Sequence, residues 1–257
     1  MTVSEKTASW SGSVTLEPGR LMFAGTVGTT HPHAHAAVQL IVVTAGLVEL
    51  EDRHGQRRAA QAALIPARVW HAVRGRGAMA VFLYCDPEPA LGRVLQDRVP
   101  ARGRDRLANW IAAADSVRLA GQAPTARQVC DQALQALAVT PRGDSLHCHP
   151  AVLAAVGCVQ QMLGGTVRLE DVAAQVAISP SRLGHLFAEG LGMSFPVYLR
   201  WARLRRAMEL ARDGHTLTRS AHGAGFADSS HLTRVCHEMF GIAPSEIVRC
   251  VRTGTRP

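Results

Sequence analysis

Lysine is almost absent from this chain of 257 residues, in which Lys6 is the single lysine among 28 basic residues. Aromatic residues are also scarce, at 5%. The formal net charge is nevertheless +8, because arginines outnumber the 20 acidic residues. A basic balance of this kind suits a polyanionic partner but does not say where such a partner binds. Hydrophobic residues make up 47% of the chain, which is enough for one large domain or two ordinary ones.

Targeting and membrane-spanning segments are not evident. The N-terminus, Met1–Lys6, has no basic stretch followed by an apolar one, so no signal peptide is predicted. The most apolar stretch, Leu40–Leu50, is too short to span a bilayer. The six cysteines have no CxxC spacing and are expected to be free thiols. These features predict a soluble, cytoplasmic protein without membrane contact.

Residues 13–86 are predicted to form β-structure. Short β-branched or alternating segments follow one another, separated by turn signals at Thr44–Gly46 and Asp52–Gly55. The predicted strands are Val38–Val43, Leu47–Glu51, Ala63–Pro66 and Met79–Tyr84. Short strands with regular turns are typical of a sandwich or a small barrel.

In residues 90–139 the apolar residues, such as Leu95, Trp110 and Leu134, recur at the spacing of an α-helix, so this region is predicted to be helical. Two interpretations stay open for these helices: they form the seam of a homodimer, or they only cover the barrel. Residues 140–149 are polar and contain Pro and Gly, and they are predicted to be a linker. The expected domains are therefore 1–139 and 150–257.

One pattern occurs twice in the second half, over residues 169–187 and 220–240. Each copy reads as a short apolar helix, a tight turn, a polar N-cap and a second amphipathic helix, which is a helix-turn-helix. Ser179 and Asp228 are the predicted N-caps. The repeat offset changes from 48 to 49 along the unit, and the extra residue is expected in the second recognition helix. A helix capped by Ser194 separates the units, and it is expected to space them by about one DNA turn.

This half resembles the C-terminal domain of the AraC/XylS regulators. The resemblance covers about residues 150–250 and is most specific in Ala224-Gly-Phe226, Ser230-His-Leu-Thr-Arg234 and Phe240-Gly-Ile-Ala-Pro244. It implies that both recognition helices enter successive major grooves of double-stranded DNA. Arg234 is the first candidate for a base contact, since arginine bonds bidentately to guanine. The full predicted DNA-binding set is Ser181, Arg182, His185, Ser229, Ser230, His231 and Arg234.

Three histidines mark the N-terminal half. His33, His35 and Gln39 follow the first cupin motif, with Gln in place of Glu, and His71 follows the second. Residues 13–86 therefore resemble a cupin barrel, and the predicted fold class is α+β with two domains: a cupin-like β-barrel with linker helices, then an all-α tandem helix-turn-helix domain.

Three roles for these residues stay open. The first is a pocket for a small-molecule effector, with His33, His35, Gln39 and His71 as polar partners and Trp70 and Phe82 as walls. The second is a divalent metal site at His33, His35 and His71, for which zinc, nickel, copper or iron are suitable ions. The third is that the histidines are satisfied inside the barrel and bind nothing.

The sequence as a whole predicts a ligand-responsive transcriptional regulator and not an enzyme. A homodimer held by the helices of residues 90–139 is expected. The resemblance implies an activator, which would also contact RNA polymerase. A metal-responsive regulator is the alternative. A cupin metalloenzyme is a rival class, but it leaves the tandem repeat unexplained and lacks the expected carboxylate at Gln39.

Overall fold

The computed structural model describes residues 9–17, 20–85, 91–119, 125–138, 149–191 and 193–253. An N-terminal β-rich half is followed by an all-helical half, which confirms the predicted fold class. Of the predicted linker, residues 140–148 lie outside the described residues. Among the described helices, none is long and apolar enough to cross a membrane.

The N-terminal half is built from two antiparallel sheets. The strands are β1 Ser11–Glu17, β2 Arg20–Thr26, β3 Val38–Ala45, β4 Val48–Asp52, β5 Arg57–Ala60, β6 Ala62–Ile65, β7 His71–Arg74 and β8 Met79–Cys85. The larger sheet has the order β1-β2-β8-β3-β6 and the smaller β5-β4-β7, so the predicted barrel is open between two sheets rather than closed into one cylinder. Two isolated bridges, Thr29 to Arg74 and His33 to His71, attach residues 29–33 to the small sheet. Residues 9–85 are called the β-domain below.

The four predicted strands are present as β3, β4, β6 and β8. The other four strands, β1, β2, β5 and β7, were not predicted individually, although they lie largely within the region that was predicted to be β-structure. Central β3 is buried from Val38 to Val43, as expected for a strand covered on both faces. The rings of Trp10, Phe23 and Phe82 meet edge to face with centroids 5.2–5.8 Å apart and close one end of this core.

Three helices cover the β-domain: α1 Leu91–Asp97, α2 Leu107–Ala113 and α3 Ala126–Ala136. Their apolar faces, with Leu95, Trp110 and Val129 fully or almost fully buried, pack on the sheets. Thr125 forms a capping box with Gln128 at the start of α3. The covering role of these helices is therefore present in the fold, and their role in a dimer stays a prediction.

The C-terminal half contains seven helices among the described residues: α4 Pro150–Met162, α5 Leu169–Gln175, α6 Pro180–Leu191, α7 Phe195–Arg212, α8 Leu217–Gly223, α9 Ser229–Phe240 and α10 Pro244–Thr253. Helices α5 and α6 form the first helix-turn-helix, and α8 and α9 form the second. The long helix α7 lies between them, with Tyr198, Trp201 and Leu204 buried on one side.

The turns of the two units are equivalent. Residues 177 and 225, which are 48 apart, both have positive φ, at 56° for Ala177 and 83° for Gly225. In each unit the next residue, Ile178 or Phe226, donates its N–H back to the first helix. Recognition helices α6 and α9 have 12 residues each. The extra residue of the second unit is therefore Ala227, in the turn and not in the recognition helix as the sequence predicted.

Candidate functional site: two recognition helices and a buried histidine cluster

The first recognition helix, α6, begins where the sequence placed it. The Ser179 Oγ accepts the backbone N–H of Arg182 at 3.2 Å, as an N-cap does. Leu183, Leu186 and Phe187 are buried, so the opposite face is turned outward. The three candidate contacts on this helix, Ser181, Arg182 and His185, are all exposed.

The second recognition helix, α9, is capped by Asp228, whose Oδ1 accepts the N–H of His231 at 2.7 Å. This hydrogen bond holds the pKa of the Asp228 carboxyl below its usual value. Ser230 and Arg234 are exposed, while Ser229 and His231 are partly covered. The His231 ring lies edge-on to Phe226, with centroids 5.2 Å apart, so its position is fixed by the turn.

The structure therefore brings all seven candidate residues to the outward, N-terminal parts of α6 and α9. Helix N-termini have free N–H groups that suit phosphate oxygens, and the exposed side chains beside them suit base edges. The DNA-contacting roles of these residues stay a prediction. The expected side-chain cap at Ser194 is absent, since Ser194 is the N-cap residue of α7 but its hydroxyl makes no cap hydrogen bond.

The second candidate site is a histidine cluster inside the β-domain. His33, His35, Gln39 and His71 are all at most 2% exposed. One ring nitrogen from each of the three histidines lies within 4.8 Å of the others. The sequence-predicted histidines thus converge, although His71 is more than 30 residues from the other two.

Backbone carbonyls orient all three rings. The Nδ1 of His33 lies 2.9 Å from the His31 oxygen, that of His35 2.7 Å from the Ala37 oxygen, and that of His71 2.8 Å from the Val69 oxygen. A carbonyl only accepts, so each Nδ1 carries the proton, and in a neutral ring Nε2 keeps its lone pair. Burial lowers the pKa of all three histidines, to about 3 for His33, which keeps the rings neutral.

The side chain of Gln39 completes the cluster. Its Oε1 lies 2.9 Å from His35 Nε2 and 3.1 Å from His71 Nε2, and its Nε2 donates to the Tyr84 hydroxyl at 3.0 Å. Oxygen and unprotonated nitrogen repel each other unless a cation lies between them or the amide is turned to donate to both rings. Imidazole nitrogens and an amide oxygen are donor types that divalent transition metals accept. The donor set therefore fits a divalent transition metal.

The predicted walls of an effector pocket lie in two different places. Trp70 is 52% exposed and lines a surface groove together with His71 and Pro32. Phe82 belongs to the aromatic end of the core and lines an apolar cavity of about 40 Å³ with Trp10, Phe240 and Ile247. This cavity lies between the β-domain and the helical half. The sequence missed it, because no local pattern joins Trp10 to α10.

Both helix-turn-helix units contact the β-rich half at the C-terminal ends of their recognition helices. Arg93 of α1 donates to the Gly190 carbonyl of α6 at 3.0 Å. At the other unit, His31 donates its N–H to the Gly241 carbonyl at 2.9 Å and Ala34 to the Glu238 carbonyl at 3.2 Å. Helix α10 packs on β1. The outward N-terminal parts of α6 and α9 are left open by these contacts.

Fold and site define a class: a protein with two helix-turn-helix units behind a β-rich domain. Comparison with known proteins agrees. Residues 172–249 match the family model described as a helix-turn-helix domain. The transcriptional activator RhaR of Pectobacterium carotovorum is 37% identical over 91 residues, which are 35% of this chain and 32% of RhaR. The regulator YpdC of Escherichia coli is 34% identical over 107 residues, 41% of this chain and 36% of YpdC.

A likeness to a solved structure extends over nearly the whole chain. The crystal structure of unsaturated fatty acid bound ToxT from Vibrio cholerae is similar with a TM-score of 0.52 and 11% identity, covering 95% of this chain and 99% of ToxT. This likeness concerns the fold. The C-terminal half is similar to known helix-turn-helix regulators, as its motifs predicted, and the chain spans about a third of the length of the curated relatives it matches.

Proposed function

We propose that the protein is a sequence-specific transcriptional regulator, an activator whose β-domain senses a ligand and whose tandem units bind DNA. The observation that carries this proposal is the pair of capped, outward-facing recognition helices on one rigid helix, α7. The similarity to RhaR and YpdC, both named as transcriptional regulators, supports it. On this proposal the protein has no catalytic role, since the β-domain serves to sense and not to react.

DNA binding is tested first. Purified protein is expected to retain DNA from its own upstream region in preference to random DNA of equal length. The affinity should fall steeply with salt, because arginines displace counterions from phosphates. Equal affinity for both DNAs would contradict the proposal. Light scattering of the same preparation tests the proposed homodimer, and retention of RNA polymerase on the protein–DNA complex tests the activator role.

Two ligand classes compete for the β-domain. ToxT, a neighbour in fold, is described as binding an unsaturated fatty acid, and this chain has an apolar cavity between its halves. At about 40 Å³ the cavity holds roughly one water-sized group, so an organic effector bound in this cavity requires the halves to separate. The histidine cluster needs no such rearrangement for an ion. We therefore favour a divalent transition metal, such as zinc, nickel, copper or iron, as the effector.

The residues that would hold the metal are His33, His35 and His71, with the Gln39 Oε1 as a fourth ligand. The metal would supply a fixed positive charge that draws the four donors together. The backbone carbonyls that accept the Nδ1–H groups act as outer partners that orient the rings. Replacing His33 and His35 by Ala should abolish the ligand response and spare DNA binding. A normal response in this double variant would place the sensing site elsewhere.

A further inference from the structure

Residues 31–34 contact the histidine cluster on one side and the second helix-turn-helix on the other. Toward the β-domain, His33 and His71 exchange both backbone hydrogen bonds, at 2.9 and 3.0 Å. Toward the helical half, the N–H groups of His31 and Ala34 donate to the last turn of α9, at Gly241 and Glu238. One short segment thus carries a cluster ligand, His33, and both backbone hydrogen bonds to the recognition helix.

The contact at Gly241 is too close for any side chain. A Cβ at this position would lie 2.3 Å from the His31 oxygen and 2.8 Å from His33 Nδ1. Both atoms belong to the hydrogen bond that orients the His33 ring. Gly241 also has φ 67°, the left-handed value that ends α9. A displacement of the end of α9 therefore acts directly on the orientation of a cluster histidine.

A second chain of contacts joins the same two places. The Gln39 amide lies against His35 and His71 and donates to the Tyr84 hydroxyl. The Tyr84 ring meets Phe240 edge to face, with centroids 5.5 Å apart. Phe240 is the last residue of α9, adjacent to Gly241. The histidine cluster is therefore connected to the C-terminal end of α9 twice, once through backbone hydrogen bonds and once through side-chain contacts.

We propose that residues 31–34 couple the occupancy of the histidine cluster to the docking of the second helix-turn-helix. A divalent transition metal held by the cluster fixes the His33 ring, and through it the hydrogen bonds of His31 and Ala34 to α9. Docking in turn preorganises the cluster, so that undocking weakens metal binding. The free energy by which bound metal stabilises docking equals the free energy by which docking stabilises metal binding. This inference rests on the proposed function, because it takes the cluster as the sensing site.

The test compares two glycines of the helical half. Gly241→Ala introduces the clash at the docking contact. Gly214→Ala is the matched control, because Gly214 also has positive φ, at 92°, and nothing lies within 4 Å of its added Cβ. Both variants carry the same type of backbone strain, and only the first disturbs docking. Phe240→Leu is a milder second variant, which removes the ring contact with Tyr84 and keeps an apolar side chain.

Zinc and nickel affinities are measured by competition with a chromophoric chelator on the full chain. We expect Gly241→Ala to bind the metal at least about fivefold more weakly than the unsubstituted protein, and Gly214→Ala to stay within about twofold. Phe240→Leu should fall between them. Addition of metal should also slow hydrogen exchange at the His31 and Ala34 amides, except in Gly241→Ala.

Three results would overturn the coupling: equal metal affinity in both glycine variants, amide exchange that does not respond to metal, or no metal binding. Specific DNA binding of the unsubstituted protein is measured in parallel. If it is present while the glycine variants bind metal alike, the coupling is wrong and the regulator stands. If it is absent, the proposed function itself fails, whatever the metal affinities are.

Discussion

Tyr84 and Phe240 meet edge to face, with an interplanar angle of 87°, across the boundary between the β-domain and the second helix-turn-helix. On its other side the Tyr84 hydroxyl accepts the Gln39 amide. One tyrosine therefore contacts both candidate sites. This relationship gives the first of four predictions.

Replacing Tyr84 by Phe keeps the ring contact with Phe240 and removes the acceptor of Gln39 Nε2. Because Gln39 is buried, its N–H then has no partner there, and the free energy of unfolding should fall by about 1–3 kcal/mol. Urea denaturation measures the change. Tyr198→Phe is the control: its partner Gln160 is exposed and can bind water, so the loss should be smaller. If both variants lost the same free energy of unfolding, the hydrogen bond from Gln39 to Tyr84 would contribute no more to stability than the exposed one.

Replacing Arg234 by Ala should weaken specific DNA binding by about 1–3 kcal/mol, because a bidentate base contact is lost. The side chain is exposed, so the fold should be unaffected. Binding is measured with the protein's own upstream DNA and with random DNA at one salt concentration. Arg118→Ala, an exposed arginine of the N-terminal half, should leave both affinities unchanged. An unaltered footprint for Arg234→Ala would remove this residue from the base-reading set.

Replacing Gln39 by Glu should have opposite effects with and without metal. A carboxylate adds the negative charge that the cation attracts, so metal affinity should rise by about tenfold or more. Without metal, a buried carboxyl group beside Tyr84 costs stability, and the melting temperature should fall. The exposed Gln61→Glu is the control and should change neither quantity. A drop in stability without any gain in metal affinity would support the third interpretation, in which the buried histidines are hydrogen-bonded inside the β-domain and bind nothing.

Acid should destabilise the metal-free protein in a defined window. Burial lowers the pKa of His33, His35 and His71, and for His33 to about 3, so the unfolded chain takes up protons near pH 6.5 while the folded chain does not. Stability is therefore full above about pH 6.5 and falls as the pH decreases, by up to about 1.4 kcal/mol per pH unit for each histidine.

Urea unfolding between pH 7.5 and pH 5 measures this slope. His35→Gln should reduce the slope by up to about 1.4 kcal/mol per pH unit, whatever it does to the stability itself. A slope that is the same in the variant and the unsubstituted protein would mean that His35 is protonated alike in the folded and unfolded chains.

The DNA-binding half could be predicted closely from local patterns. Ser179 and Asp228 are N-caps because their short side chains reach a backbone N–H three residues on, an interaction contained within one turn of chain. The apolar positions of α6 and α9 recur at helical spacing, so the exposed face follows from the buried one. The position of the extra residue at Ala227 required the structure, because a one-residue shift reads alike in a turn and in a helix.

Local patterns were enough to predict the class of each half, because helical periodicity and N-caps depend on neighbouring residues, and these patterns also locate the tandem units and their outward residues. The spacing of His33, His35 and Gln39 likewise indicated a cluster. The outward position of Trp70, the opening between the two sheets and the contact of Gly241 with His31 and His33 could be read only from the folded chain. These facts depend on contacts between residues far apart in the chain, and packing of the whole molecule sets them.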